Sequence, residues 1–159
     1  VRGVAEAGRA GDISLYTGND DNILVDLLTT YRIGNVRLRI VGGLLGHWAF
    51  WTRKAVELLE ECRRAIHSTD GIPHEWLTRA VEVTDCNAAA FDTANGFAGC
   101  IAGIHEILAR QGLMAGRWTL DPNEDLSPGQ AEEIDRVHRA YPWLNDDAFV
   151  AAHLDEWLR

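Results

Sequence analysis

The stretch "LYTGNDDNILVDLLTTY", Leu15 to Tyr31, changes its pattern at Gly18. Before the glycine, residues 12–17 alternate apolar and polar side chains, which predicts a short strand. From Asp20 onward, apolar side chains recur at helical spacing, which predicts a helix that ends near residue 31. A strand that runs through a glycine turn into a helix is typical of α/β proteins, which carry functional residues at such turns.

The same pattern recurs one element later, in the stretch "LRIVGGLLGHWAFW". Residues 36–41 predict a second strand, and Gly34 is predicted to end the preceding helix. A second helix is predicted from Gly46 onward. Its apolar face consists of Trp48, Trp51, Ala55, Leu58, Cys62 and Ala65. The order strand, helix, strand, helix predicts a parallel sheet.

Residues 71–159 predict helices without strands, so the chain divides into an α/β part, 1–70, and a helical part, 71–159. The predicted helices cover residues 74–83, 88–111 and 146–158, and another begins with Ser127 as its N-cap and Gln130 three positions later. Two parallel strands do not form a stable sheet alone. The α/β part is therefore expected to pair with another copy or to be the C-terminal portion of a larger domain.

The composition restricts the class of protein. With 47% apolar and 25% charged residues among 159, the chain has the balance of a globular protein. A net charge of -9 argues against a nucleic-acid or anionic-membrane surface, and no apolar run approaches the ~20 residues of a membrane span. Three cysteines, an odd number, without a signal-peptide pattern favour a reduced, cytoplasmic setting. Their spacing indicates no metal site.

Three segments together resemble a known family: "LYTGNDDNILVDLL", "RIVGGLLGHW" and "FDTANGFAGCIAGIHEILARQGLMAGRWTLDPNEDLSPGQAEEIDRV". Their order and spacing are similar to the C-terminal part of the dihydrodipicolinate synthase and N-acetylneuraminate lyase family. The resemblance implies an α/β fold in which residues 1–70 are the last βα units of a (β/α)8 TIM barrel and residues 71–159 are its C-terminal helical subdomain. The family's Pro-x-Pro-x-Lys segment is replaced here by residues 96–100, so the substrate does not carry over from the family.

The resemblance also implies a chemistry. The family consists of class I aldolases and dehydratases, which form a Schiff base between a lysine and a small 2-keto acid or sugar-derived keto acid. Lys54 is the only lysine, and its position on the polar side of an amphipathic helix predicts a solvated charge. The reactive lysine and the tyrosine that shuttles protons would both lie upstream of Val1. No catalytic residue, cofactor or metal is therefore expected in this chain, and the full-length protein is expected to be a homo-oligomer.

The two glycine turns are the predicted substrate-binding site, because the carboxyl ends of barrel strands converge on one mouth. Glycine lets the backbone approach a ligand closely and leaves N–H groups free to bind it. The predicted substrate-binding residues are Gly18, Asn19, Asp20, Gly42, Gly43 and His47. Two alternatives are open. The glycines could serve turn geometry alone, with the histidine packing or capping and the carboxylate stabilising a helix start. The chain could also be a non-enzymatic helical assembly module whose strands pair with a partner.

Overall fold

The computed structural model describes residues 1–44 and 46–159, and for His47 it describes the backbone but not the side chain. This part of the chain is mixed α/β, about 52% helical, with seven α-helices and one small sheet of three strands. The elements follow the chain in the order α1 (Arg2–Glu6), β1 (Leu15–Thr17), α2 (Ile23–Leu28), β2 (Thr30–Ile33), β3 (Val36–Gly43), α3 (Thr52–His67), α4 (Glu75–Phe91), α5 (Cys100–Arg110), α6 (Gln130–Ala140) and α7 (Asp147–Trp157). A short 3₁₀ helix, Gly46–Trp48, precedes α3.

The strands β1 and β3 are parallel neighbours, as the sequence pattern predicts. Their register pairs Tyr16 with Gly42 and Thr17 with Gly43. The helix α2 lies on the connection between them and buries Leu24 and Leu27. The two glycine turns therefore leave the sheet side by side.

The strand β2 is a correction to the sequence prediction. The predicted helix through residue 31 ends at Leu28, and residues 30–33 pair antiparallel with β3. Gly34 does not end a helix but forms the hairpin turn, with a φ of +56° that glycine adopts without steric cost. The pairing with β3 decides the conformation of this segment, whose threonine, tyrosine and isoleucine suit a strand.

The two neighbours of β3 pair with different halves of it. The strand β2 pairs with residues 36–39, whereas β1 pairs with residues 40–43. On the side away from β1, residues 40–43 have no strand partner within residues 1–44 and 46–159. On its other side, β1 likewise has no neighbouring strand in this described part. The carboxyl half of the sheet is thus open at both edges.

The helix α3 has the predicted buried face but a later start. Ala55, Leu58 and Cys62 are buried, yet the helix begins at Thr52 rather than at Gly46. A distant carboxylate caps it, because Asp146 Oδ2 accepts a hydrogen bond of 2.9 Å from the backbone N–H of Arg53, 93 residues earlier. The start of α3 therefore depends on the C-terminal part of the chain.

One apolar core joins the α/β part to the helical part. The ring of Phe50 packs edge-on against Phe91 at the end of α4, with a centroid distance of 6.1 Å. The buried cluster contains side chains from α2, α3, α4 and α6. The turns at the sheet edge are therefore supported by the helical part of the same chain.

The helical part differs from the prediction at its boundaries. A single helix, α4, covers residues 75–91, and α5 begins only at Cys100. Between them, Asp92 and Phe97 adopt positive φ values of 60° and 69° and break the helix. Phe97, in the segment before α5, is 59% exposed, and Trp157, at the end of α7, is 46% exposed. None of the helices in residues 1–44 and 46–159 has the length and apolar character needed to cross a bilayer.

Candidate functional site

The structure brings the two predicted glycine turns together at the carboxyl edge of the sheet. Because Tyr16 and Thr17 pair with Gly42 and Gly43, β1 and β3 end side by side and the segment 18–21 begins directly beside the second turn. The backbone N–H of Leu44 donates to the carbonyl oxygen of Thr17 over 3.1 Å and joins the two segments directly. The side chain of His47, the remaining predicted site residue, lies outside the described part of the chain.

The base of the first turn is held by hydrogen bonds from Thr17, which is buried. Its hydroxyl donates to Asp26 Oδ2 over 2.6 Å and accepts from the backbone N–H of Asn19 over 3.1 Å. The other oxygen of Asp26 accepts from the hydroxyl of Tyr31 over 2.9 Å. Burial, together with this bond to Asp26, raises the pKa of Tyr31. These bonds tie β1, α2 and β2 into one unit beneath the turn.

Asp20 is half-buried, and its carboxyl oxygen Oδ1 is buried without a hydrogen-bond partner. Burial, followed by the negative charge of Asp21, raises its pKa. The carboxylate does not cap α2, because the N-cap position is Asn22 and no side-chain cap bond is present there. Asp20 therefore makes no capping hydrogen bond to α2, whereas an interaction of its charge with the helix dipole needs no such bond.

The glycines of the second turn each contact a neighbour closely. A Cβ on Gly42 would lie 2.7 Å from the Tyr16 ring, and one on Gly43 would lie 2.9 Å from Cδ1 of Ile23. Gly46 has a φ of +73°, in the left-handed region that favours glycine. Packing thus gives each of these positions a structural reason to be glycine, alongside the substrate role predicted for Gly42 and Gly43.

Two residues that sequence analysis did not select also hold the site. Thr84 Oγ1 donates to the carbonyl of Asp21 over 2.9 Å, and Asn87 Nδ2 donates to the carbonyl of Asp20 over 3.2 Å. Asn87 is 2% exposed, and its carboxamide oxygen is buried without a partner. The sequence pattern assigned Asn87 to a turn between helices. The signal that could have found the pair is their spacing of three, which places both on one face of a continuous α4.

The nucleophilic side chains are not activated. Burial raises the pKa of Cys62 and of Cys86 to about 12, and burial followed by the charge of Asp20 raises the pKa of Cys100. These thiols stay protonated at neutral pH and are poor nucleophiles. Lys54 is ion-paired with Glu57 over 3.0 Å on the outer face of α3, as its sequence position predicts. Among the described residues, no group of three or more His, Cys, Asp or Glu side chains could hold a metal.

Comparison with known proteins gives no relative for this chain. No family model matches it, and no curated protein or solved structure is significantly similar to it. The function is therefore argued from the residues and from their geometry.

Proposed function

We propose that this chain is the C-terminal portion of a Schiff-base lyase similar to dihydrodipicolinate synthase and N-acetylneuraminate lyase, and that it supplies one side of the substrate site. The observation that carries the proposal is the adjacency of the two glycine turns at the carboxyl ends of neighbouring parallel strands. The buried, unpaired oxygens of Asp20 and Asn87 lie at the same edge, and unsatisfied polar groups of this kind are concentrated at functional sites. The substrate is a small 2-keto acid or a sugar-derived keto acid.

The sheet supports the finer proposal of a barrel portion. A barrel strand needs a parallel neighbour on each side. The strand β2 covers only the amino half of β3 and leaves residues 40–43 available for another strand. Tyr16 and Val41, on the two neighbouring strands, are exposed at this part of the sheet. Open sheet edges are usually covered in stable proteins, so further strands of a barrel would resolve both features.

The proposed reaction requires a reactive amine from another part of the protein. In a Schiff-base lyase, a neutral lysine amine attacks the keto carbon, and the oxygen leaves as water while the C=N bond forms. Such a lysine must be desolvated to lose its proton. Lys54 instead lies beside Glu57 and Arg53 at the protein surface. The proposal therefore requires a lysine encoded upstream, at the end of a preceding strand.

Borohydride trapping tests this proposal. The full open reading frame that contains the chain and residues 1–159 alone would each be incubated with pyruvate and borohydride, then examined by intact mass and peptide mapping. The full protein is expected to gain a reduced pyruvyl group on an upstream lysine, whereas residues 1–159 are expected to gain none. Lys54→Arg in the full protein is the matched control and should label normally. An adduct on Lys54, or no label in the full protein with any of a panel of 2-keto acids, contradicts the proposal.

A helical assembly module is the second candidate, and one loop favours it. Trp118 is 73% exposed and Leu120 is fully exposed. The loop that carries them is held by an ion pair between Arg117 and Asp125 and by a 2.9 Å hydrogen bond between His105 Nδ1 and the carbonyl of Trp118. Sedimentation of the full protein and of a Trp118→Ala, Leu120→Ser variant distinguishes the two functions. Loss of assembly in the variant, in a protein that no keto acid labels, would favour the module.

A further inference from the structure

The helix α4 contacts the turn after β1 through two side chains at a spacing of three. Thr84 donates to the carbonyl of Asp21, and Asn87 donates to the carbonyl of Asp20, the residue directly before it. These bonds span 63 and 67 residues of sequence. Because the two acceptors are consecutive backbone groups, the pair restricts both the position and the orientation of this turn.

Asn87 also contacts the second turn. A Cβ on Gly46 would lie 2.8 Å from Asn87 Nδ2 and 3.3 Å from its carboxamide oxygen, so the flat amide packs directly against the Gly46 backbone. Asn87 is therefore a single buried side chain between the first turn, at Asp20, and the second turn, at Gly46. Thr84 bonds to the first turn, at Asp21.

The bonding of Asn87 is incomplete in a way that core packing does not explain. Its amide nitrogen has a partner, while its oxygen is buried and has none. An apolar side chain of similar shape would avoid the cost of burying an unpaired oxygen. The N–H donor directed at the Asp20 carbonyl is the feature that such a replacement would lose, which indicates a role in holding the turn.

We infer that Asn87 is a positioning residue for the candidate substrate site: it sets the separation of the two glycine turns by bonding one and packing against the other. The inference deepens the proposed function and rests on it for the identity of the ligand. The side chain acts through the turn backbone and does not contact the keto acid. The substrate-binding geometry of the α/β part thus depends on a residue of the helical part.

Amide hydrogen exchange tests the positioning role without any ligand. In the full protein, Asn87→Ala should accelerate exchange in residues 19–23 and 46–49 by about fivefold to tenfold relative to the global change, as expected for one lost hydrogen bond of ordinary strength. Asn87→Asp keeps the shape of the side chain, but its carboxylate cannot donate a hydrogen bond. It should therefore accelerate exchange in the same segments as Asn87→Ala does. Cys86→Ala is the matched control, because Cys86 precedes Asn87 in the same helix and is buried in the apolar core. Equal exchange in Asn87→Ala and Cys86→Ala at matched stability overturns the inference.

Steady-state kinetics give the second readout, normalised to the fraction of protein that borohydride labels. Asn87→Ala should raise KM for the keto acid by about tenfold and change kcat by less than about threefold, because misplaced turns weaken substrate binding. A purely structural residue would lower the labelled fraction and leave KM unchanged, and that result contradicts the inference. If the unmodified protein labels with no keto acid, the proposed function fails, while the exchange experiment still decides whether Asn87 positions the turns.

Discussion

Two groups of buried polar side chains contact α4, and they are bonded very differently. At the junction of α4, α5 and α6, Asp92 accepts hydrogen bonds from Asn95 Nδ2 over 2.7 Å, from the Gly99 N–H over 2.9 Å and from the Ser127 hydroxyl over 2.5 Å. Gln130 donates to carbonyl oxygens of α4 and of Gly99, and it accepts from the Ser127 N–H. In this junction, the oxygens of Asp92 and Gln130 all have partners.

At the carboxyl edge of the sheet, the corresponding oxygens are unpaired. Asp20 Oδ1 and Asn87 Oδ1 are buried and have no hydrogen-bond partner. An unpaired buried oxygen costs about 1–3 kcal/mol, so it is tolerated where something other than stability is selected. The fully bonded helical junction therefore serves stability, whereas the turns with unpaired oxygens are the region in which function is to be sought.

Removing the centre of the helical junction should have the largest effect. Asp92→Ala leaves the donors of Gly99 and Ser127 without their acceptor and places alanine at a φ of +60°, so unfolding should become easier by about 3 kcal/mol. Asp92→Asn keeps one acceptor oxygen and tolerates this φ, so it should cost only about 1 kcal/mol. Urea denaturation of the full protein measures both. Equal, small losses would mean that the junction does not carry the stability assigned to it.

Two glycine substitutions, one in each region, should lower the unfolding free energy by intermediate amounts. A Cβ on Gly103 would collide with the carbonyl oxygen of Ala90, so Gly103→Ala must separate α4 from α5 and should cost about 2 kcal/mol. A Cβ on Gly43 would meet side-chain atoms of Ile23 at 2.9 Å and of Trp48 at 3.4 Å rather than backbone, so Gly43→Ala should cost about 1 kcal/mol.

The effects of these two substitutions on keto-acid kinetics should have the opposite order to their effects on stability. Gly43→Ala is expected to weaken keto-acid binding beyond any loss of folding, whereas Gly103→Ala should lower stability and leave the kinetics per folded molecule unchanged. Stability from urea titration and KM from initial rates separate the two effects. If Gly43→Ala turns over normally, the second turn does not approach the substrate.

The two regions should also differ in their pH dependence. Hydrogen bonds from Arg136, aided by Tyr141 and opposed by burial, lower the pKa of Asp85 on α4 below its usual value of 3.8. Its contribution to stability is therefore present above about pH 4 and is lost as the pH falls through the lowered pKa. For Asp20 the sign is reversed: its pKa is raised, so stability falls as the pH rises from 3.8 to that raised value.

Amide substitutions test these signs. Asp85→Asn should lower the urea midpoint at pH 7, and its difference from the unmodified protein should shrink as the pH falls through the lowered pKa of Asp85. Asp20→Asn should raise the midpoint at pH 7, because the amide removes the cost of burying a charge. A lower midpoint for Asp20→Asn at pH 7 would show that the Asp20 carboxylate has a favourable partner in the folded protein.

The smallest effect is expected for Thr84→Val. This change keeps the shape of the side chain and removes the hydrogen bond to the Asp21 carbonyl. Since water can reach this exposed bond, the cost in unfolding free energy should be about 0.5 kcal/mol. A loss as large as that of Asp92→Ala would mean that the turn is as important for stability as the helical junction.

Local signals made parts of the fold predictable. The alternation before Gly18 and the helical spacing after it predicted β1 and α2, and the second copy of the pattern predicted β3 and α3. The start of α6 was predictable only in part: the helix begins at Gln130 with Gly129 rather than Ser127 as its N-cap, although the Ser127 N–H bonds to Gln130 Oε1 over 3.0 Å, as in a capping box. The other half of that box does not form, because the Ser127 hydroxyl donates to Asp92 instead.

The sequence by itself determined the elements whose causes lie within a few residues: two strand-to-helix turns rich in glycine, an amphipathic α3 and a helical second half. Only the tertiary structure decided the features whose partners are distant in the chain. The strand β2 exists because β3 offers it an edge, α3 begins where Asp146 caps it, and the candidate site is held by Asn87 from 67 residues away. The physical reason is that periodicity and turn propensity act over one or two turns of chain, whereas hydrogen bonds and packing between elements depend on which surfaces the fold brings together.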